Sequence, residues 1–281
     1  MKKEYIFFAL FLLTIAGACK QKKSDLPVIS ELQKNHLQRN NIYGQVQTIT
    51  TTYFFLDKDQ AFSTEEQEIK ISENVQQYNQ NGYLERVITV NSRHDTTLNQ
   101  WIYFQPNSNR TDYWIDRNSR KDFEYNAAQH LSSEKRYKND TLVSVTYYKT
   151  DALGNVMEMI QDDGADQLLN VFSYNDRMLI ERIDEYDPNK KKFKYVTIEY
   201  DNDGREINRR IFHPGGRLIE FTYTQYGKKG ELLKKIFENK DNSIKEVSEY
   251  SAHDQYGNWT KEVQLKKDQE TYIRKRTINY Y

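Results

Sequence analysis

Cys19 is the only thiol in this 281-residue chain, and a thiolate is a ready nucleophile and metal ligand. Alone, it cannot form a disulfide within the chain. The five histidines (His36, His94, His130, His213 and His253) fall into no H-x-x-x-H or H-E-x-x-H spacing, so no zinc or metalloprotease arrangement can be read from them. The stretch Glu199-Tyr-Asp-Asn-Asp-Gly204 puts acids at positions 1, 3 and 5 of a calcium loop, with glycine at position 6. Position 12, which should be a bidentate glutamate, is Arg210, and a turn is the better reading. The pair Asp162-Asp163 carries little weight in a chain with 41 acidic residues. There is no Gly-x-Ser-x-Gly elbow and no phosphate-binding loop. These residues predict no metal, no cofactor and no enzyme. A hydrolase assembled from residues distant in sequence is kept as an alternative.

Cys19 takes its meaning from what precedes it. Lys2 and Lys3 lead an apolar run from Tyr5 to Ile15, followed by Ala16-Gly17-Ala18-Cys19. The run is shorter than the about 20 residues of a membrane-spanning helix, and it has the layout of a secretory signal ending in small residues. It resembles the lipobox of bacterial lipoproteins, with Ala16 where leucine is usual. The resemblance implies cleavage before Cys19 and lipid attachment at its thiol. Residues 1–18 are then a signal peptide, 19–41 a lipid-anchored linker and 42–281 a folded domain. The implied partner is a membrane, held through the N-terminal lipid, and firm attachment needs more than one acyl chain. The basic Lys20-Gln-Lys-Lys23 is unlike the acidic export tag of some surface lipoproteins. It favours the periplasmic face of an outer membrane over the cell surface.

The formal net charge is zero, which leaves no electrostatic footprint for nucleic acid. After residue 75, clusters of Gly, Pro, Asn and Asp recur about every 10–15 residues, as at 79–82, 175–177, 201–204, 227–230 and 253–257. Such spacing signals short antiparallel strands joined by hairpins. Pro106, Pro188 and Pro214 fall in the turns and Pro27 in the linker, as expected of a residue that cannot donate to a ladder. Between turns, 171–174, 194–200 and 217–223 alternate β-branched or aromatic residues with polar ones, while 231–237 and 259–265 put charges on one face. Residues 29–38 suit either a short helix or more linker. The lysine runs 190–192 and 228–229 read as solvated turns. The many aromatics (22 Tyr, 13 Phe and 3 Trp) serve to pack sheet faces, or else to build a sugar-stacking or apolar groove.

Tyrosines at 78, 103, 125, 148, 174, 200, 226 and 250 are about 22–26 residues apart, two strands per unit. Asn or Asp follows several of them and suits a first turn position, because its side chain bonds the local backbone. These phrases, fullest at Tyr200-Asp-Asn-Asp-Gly-Arg205, resemble the Tyr-Asp (YD, or RHS-like) repeat family. Residues 254–263 and 44–53 are similar to the last repeat and first strand of bacterial lipoproteins of that kind. The resemblance covers roughly 42–281 and implies a curling sheet; the toxin-enclosing role of large members does not transfer. Some 17 strands can be placed, and open sheets rarely exceed ~10. The expected fold is therefore all-β, one long antiparallel meander of hairpins curled into a trough, spiral or partly closed barrel. A transmembrane barrel is disfavoured, since strands such as 231–242 and 260–269 are too charged and short for a lipid-facing row of about 9–11 residues. The expected function is a non-catalytic binding or scaffolding role for an envelope protein or glycan. A glycan- or lipid-binding trough is the alternative.

Overall fold

The computed structural model describes residues 36–57, 67–105, 108, 110–241, 243–267 and 270–281. Cys19, the expected leader, Pro27, most of the expected linker and Pro106 lie outside them. One short helix, α1 (His36–Arg39), precedes β1 (Val46–Asp57), β2 (Gln67–Tyr78), β3 (Leu84–Asn91), β4 (Thr96–Phe104), β5 (Thr111–Asp116) and β6 (Ser119–Tyr125). Then come β7 (Leu131–Lys138), β8 (Thr141–Thr150), β9 (Val156–Asp162), β10 (Gln167–Tyr174), β11 (Ile180–Tyr186) and β12 (Lys192–Tyr200). The last six are β13 (Glu206–Phe212), β14 (Leu218–Tyr226), β15 (Leu232–Asn239), β16 (Ile244–His253), β17 (Trp259–Lys266) and β18 (Thr271–Tyr280).

Each strand pairs antiparallel with the next, and β18 pairs back onto β1 from Val46↔Tyr280 to Leu56↔Thr271. The all-β meander is as expected, but the sheet is neither a trough nor a spiral: its 18 strands close completely. An open edge would expose a row of unpaired N–H and C=O groups. β1 and β18, 12 and 10 residues long, satisfy each other's edges instead. Eighteen strands spaced ~4.8 Å apart and tilted by ~40° make a round cylinder roughly 36 Å across, wider than wall side chains can fill.

The recurring phrase is a turn. At residues 79–83, 126–130, 151–155, 175–179, 201–205, 227–231 and 254–258, the first N–H donates to the fifth carbonyl and the fourth N–H to the first carbonyl. The fourth residue is left-handed in every case, glycine at most of them but Gln129 and Met178 at two. Asn79, Asp151, Asn175, Asp201 and Asp254 each accept, through Oδ1, from the third and fifth N–H groups. Because strands alternate in direction, a phrase in every second hairpin falls at one end of the barrel. The tyrosine before such a turn is not left to water. Tyr125, Tyr174 and Tyr200 donate their hydroxyls to the carbonyls of Thr111, Val156 and Ile180, all at 2.8 Å.

Burial alternates along the strands. In β4, Trp101 and Tyr103 are exposed, while Gln100 and Ile102 line an internal cavity. In β8, Tyr147 is exposed, while Tyr148 donates to Glu134 at 2.8 Å. The second set faces the lumen. The tightest packing is at the seam, where Leu37 of α1, Ile42, Val46, Ile49 and Tyr78 form a buried cluster backed by Ile278 and Tyr280.

Candidate functional site

A cavity of about 800 Å³ opens at the end of the barrel where the repeated turns lie. Its deeper wall is Ile102 of β4, Trp114 of β5 and Phe123 of β6, with Tyr125 of β6 and Leu131 of β7 beside the turn. Its rim carries Arg39 and His36 from α1 and Arg110 and His130 beside the turns. The strand period of two puts Ile102 opposite Trp114 on the lumen face, and the turns bring in Tyr83, Gln129 and Gly154.

Residues 36–45, partly inside the expected linker, lie across this end. The Leu37 N–H donates to the Gly82 carbonyl (3.3 Å), and His36 Nδ1 accepts from the Leu84 N–H (3.2 Å). Burial, with Arg39 next, lowers the His36 pKa to about 4, so the ring is neutral and can accept. At the other side, Asn258 receives the Tyr43 N–H on Oδ1 and donates Nδ2 to the Tyr43 carbonyl, both at 2.8 Å. It also donates to Tyr280 Oη (3.0 Å). One amide thus clamps the peptide that leads into β1.

The carboxylate in the cavity lining, Glu134, is matched. Lys121 Nζ is 2.7 Å from Glu134, and the Tyr148 hydroxyl donates to the same carboxylate. Burial, then Glu134, pushes the Tyr148 pKa up; burial likewise raises Tyr125 to about 12. Arg110 stands over the Tyr125 ring (5.9 Å) and donates Nε to the Gln129 carbonyl (3.1 Å). Apolar and aromatic side chains below, with cationic groups at the rim, suit a ligand that is apolar at one end and polar at the other.

Of the residues considered from sequence, Cys19 lies outside the described residues. His36 and His130 line the cavity, His94 and His213 are turn residues, and the His253 ring bonds the Leu232 carbonyl (2.9 Å). Glu199 is bound by Asn208 and Arg210, so Arg210 occupies the carboxylate that the calcium reading needed. Asp201 caps its turn and pairs with Arg205 (2.6 Å). Asp162 and Asp163 cap the turn after β9. Among the described residues, no group of three or more His, Cys, Asp or Glu side chains could hold a metal ion. Asn258 was not singled out, although it sits in the phrase at 254–263. Its role shows only when Tyr43 is brought to it.

No family model matches the chain, and no curated protein matches it. That overturns the resemblance to the Tyr-Asp repeat family: its models do not match, the sheet closes, and the recurrence is explained by turn chemistry at one barrel end. Among solved structures, the chain is similar to a porin-like protein from Bacteroides uniformis (14% identity, 83% of this chain and 98% of that one, TM-score 0.45). It is also similar to an outer membrane lipoprotein-sorting protein domain from Vibrio parahaemolyticus (8%, 86% and 89%, TM-score 0.31). A LolA superfamily protein from Nitrosomonas europaea is a third (10%, 84% and 86%, TM-score 0.23). At such identities the function has to be argued from this chain's own residues.

Proposed function

We propose that this protein is a lipid-anchored envelope barrel that takes an amphiphile, a lipid or glycolipid, into its end cavity. The observation that carries the reading is the cavity itself. Its volume of about 800 Å³ is in the range of small-molecule sites, about 300–1,000 Å³. Ile102, Trp114, Phe123 and Leu131 would shed water on taking up an apolar chain, while Arg39 and Arg110 meet a polar head. Attachment through Cys19 would hold the barrel at the membrane from which such a ligand comes. Outward-facing ion pairs such as Arg182–Asp184 (2.9 Å) and Lys234–Glu249 (2.9 Å) suit contact with water better than lipid.

Mass spectrometry of the protein extracted from its native membrane tests both parts. The expected result is a lipid-modified Cys19 and a stoichiometric co-purifying amphiphile that is lost in Ile102→Asp. An empty wild-type cavity with a stoichiometric protein partner would sink the amphiphile reading. It would favour the second one, a scaffold, for which the outer wall offers exposed Trp101, Tyr103 and Ile115 on the paired strands β4 and β5.

A further inference from the structure

On the seam wall of the lumen the charges do not balance. Arg274 and Arg276 are alternate residues of β18 and share a face, and Glu262 of β17 sits directly opposite Arg274. Glu262 is wholly buried and takes the Arg274 guanidinium on Oε1. One carboxylate therefore stands against two guanidiniums and pairs with Arg274. Arg276 has no ion pair among the described residues. Its guanidinium carbon lies 3.4 Å from the centre of the Trp259 ring, and Trp259 packs in turn on Tyr250, 5.3 Å between centroids.

The Nε atoms of Arg274 and Arg276 are buried without a hydrogen-bond partner, as is Oε2 of Glu262. Buried polar groups are almost always partnered, and each exception calls for an explanation. Burial, with Arg274 next, lowers the Arg276 pKa to about 10, which still leaves it charged at neutral pH. Stacking on an indole fixes the plane of a guanidinium and leaves its in-plane N–H groups free, in the fork that matches carboxylate and phosphate oxygens. Ile278, the next lumen-facing residue of β18 towards the mouth, belongs to the cluster beneath α1. The arginine pair thus lies one pleat deeper than the helix.

We propose that Arg276, held by Trp259, and Arg274 form an oxyanion site in the lumen for a ligand group carrying about one negative charge, a carboxylate or a phosphate. None of these residues lines the mouth cavity, so the site does not rest on the amphiphile reading. The net charge of the cluster is positive, and the ligand neutralises it. A fatty carboxylate and free phosphate are the two sources to be told apart.

Tryptophan emission of the full-length protein can test this. Trp101→Phe/Trp114→Phe leaves only Trp259, at the arginine site; Trp101→Phe/Trp259→Phe leaves only Trp114, in the mouth cavity. Each is titrated with inorganic phosphate, with decanoate and with the uncharged octyl glucoside at fixed ionic strength. The expected result is a saturable change of Trp259 emission with phosphate or decanoate and none with octyl glucoside. Arg276→Met should weaken that response at least tenfold. Arg276→Lys keeps the charge but not the fork, should weaken it at least threefold, and serves if the methionine variant does not fold. Response to phosphate alone assigns a free anion, and response to decanoate alone a fatty carboxylate. No Trp259 response, or equal affinity in the wild-type and Arg276 proteins, overturns the site. A silent Trp114 with a responding Trp259 refutes the amphiphile cavity and leaves this site standing.

Discussion

The seam and the cavity wall are built from the same kinds of strand and turn, yet they are packed very differently. At the seam and the strands beside it, Val46, Ile49 and Glu262 have no exposed surface and Tyr78 has 2%. In the wall from β4 to β8, Ser133 alone among the described strand residues is buried, and Trp101, Tyr103, Ile115 and Tyr147 are exposed. The seam joins β1 to β18 across the whole chain, so closing it costs the most chain entropy. Burial is concentrated where that cost falls. The wall is made of local hairpins, which close cheaply, and its inward side chains are left to line the cavity.

The largest effect should come from the buried centre of the seam. Ile49→Ala should lose about 3 kcal/mol, in the range for deleting a buried aliphatic chain. Ile102→Ala, facing the cavity, should lose about 1 kcal/mol, because its side chain is already partly exposed. Urea unfolding of both checks the difference; equal losses would break the contrast.

The clamp comes next. Asn258 and Asn155 are both the fifth residue of their turns, both are buried, and both bond the aspartate at the first position. Only Asn258 also holds Tyr43. Asn258→Ala should cost about 2 kcal/mol from the two hydrogen bonds to Tyr43 alone, at about 1 kcal/mol each, and should speed amide exchange over 37–45. Asn155→Ala should cost less and leave that segment protected.

The third test is pH. His36 has a folded pKa of about 4 against an ordinary 6.5, so the unfolded chain binds more protons between those values. Stability from this group is therefore present above pH 6.5 and lost as the pH falls towards 4. Protonation also removes the Nδ1 acceptor that holds the Leu84 N–H. His36→Gln should flatten the profile in that window, read from unfolding midpoints at successive pH values.

The smallest effect belongs to a turn. Met178 is left-handed, with φ of 58°, where Gly204 serves in the next repeat at the same end. Met178→Gly should stabilise by up to about 1 kcal/mol, since a left-handed side chain costs about 1–2 kcal/mol and some packing is lost with it. Thermal melts would show it.

The turns were legible because their chemistry is local. Asn175, Asp201 and Asp254 bond backbone groups two and four residues on, so composition at that spacing carries the signal. Tyr200 ending β12 and a hairpin at 201–204 followed from the same rule. The partners of the tyrosine hydroxyls were not legible, because the carbonyls that receive them lie on another strand. The cavity residues were not legible either. Ile102 and Trp114 look like ordinary strand residues, and nothing in the chain between them says that they face a lumen.

By itself, then, the amino-acid order determined that this chain is all-β and where its strands turn. Closure, the mouth cavity, the Asn258 clamp and the arginine pair were decided only by tertiary structure. The physical reason is distance along the chain. A turn is settled by bonds among five neighbours, whereas Val46 meets Tyr280 and Tyr43 meets Asn258 only after every strand between them has taken its register.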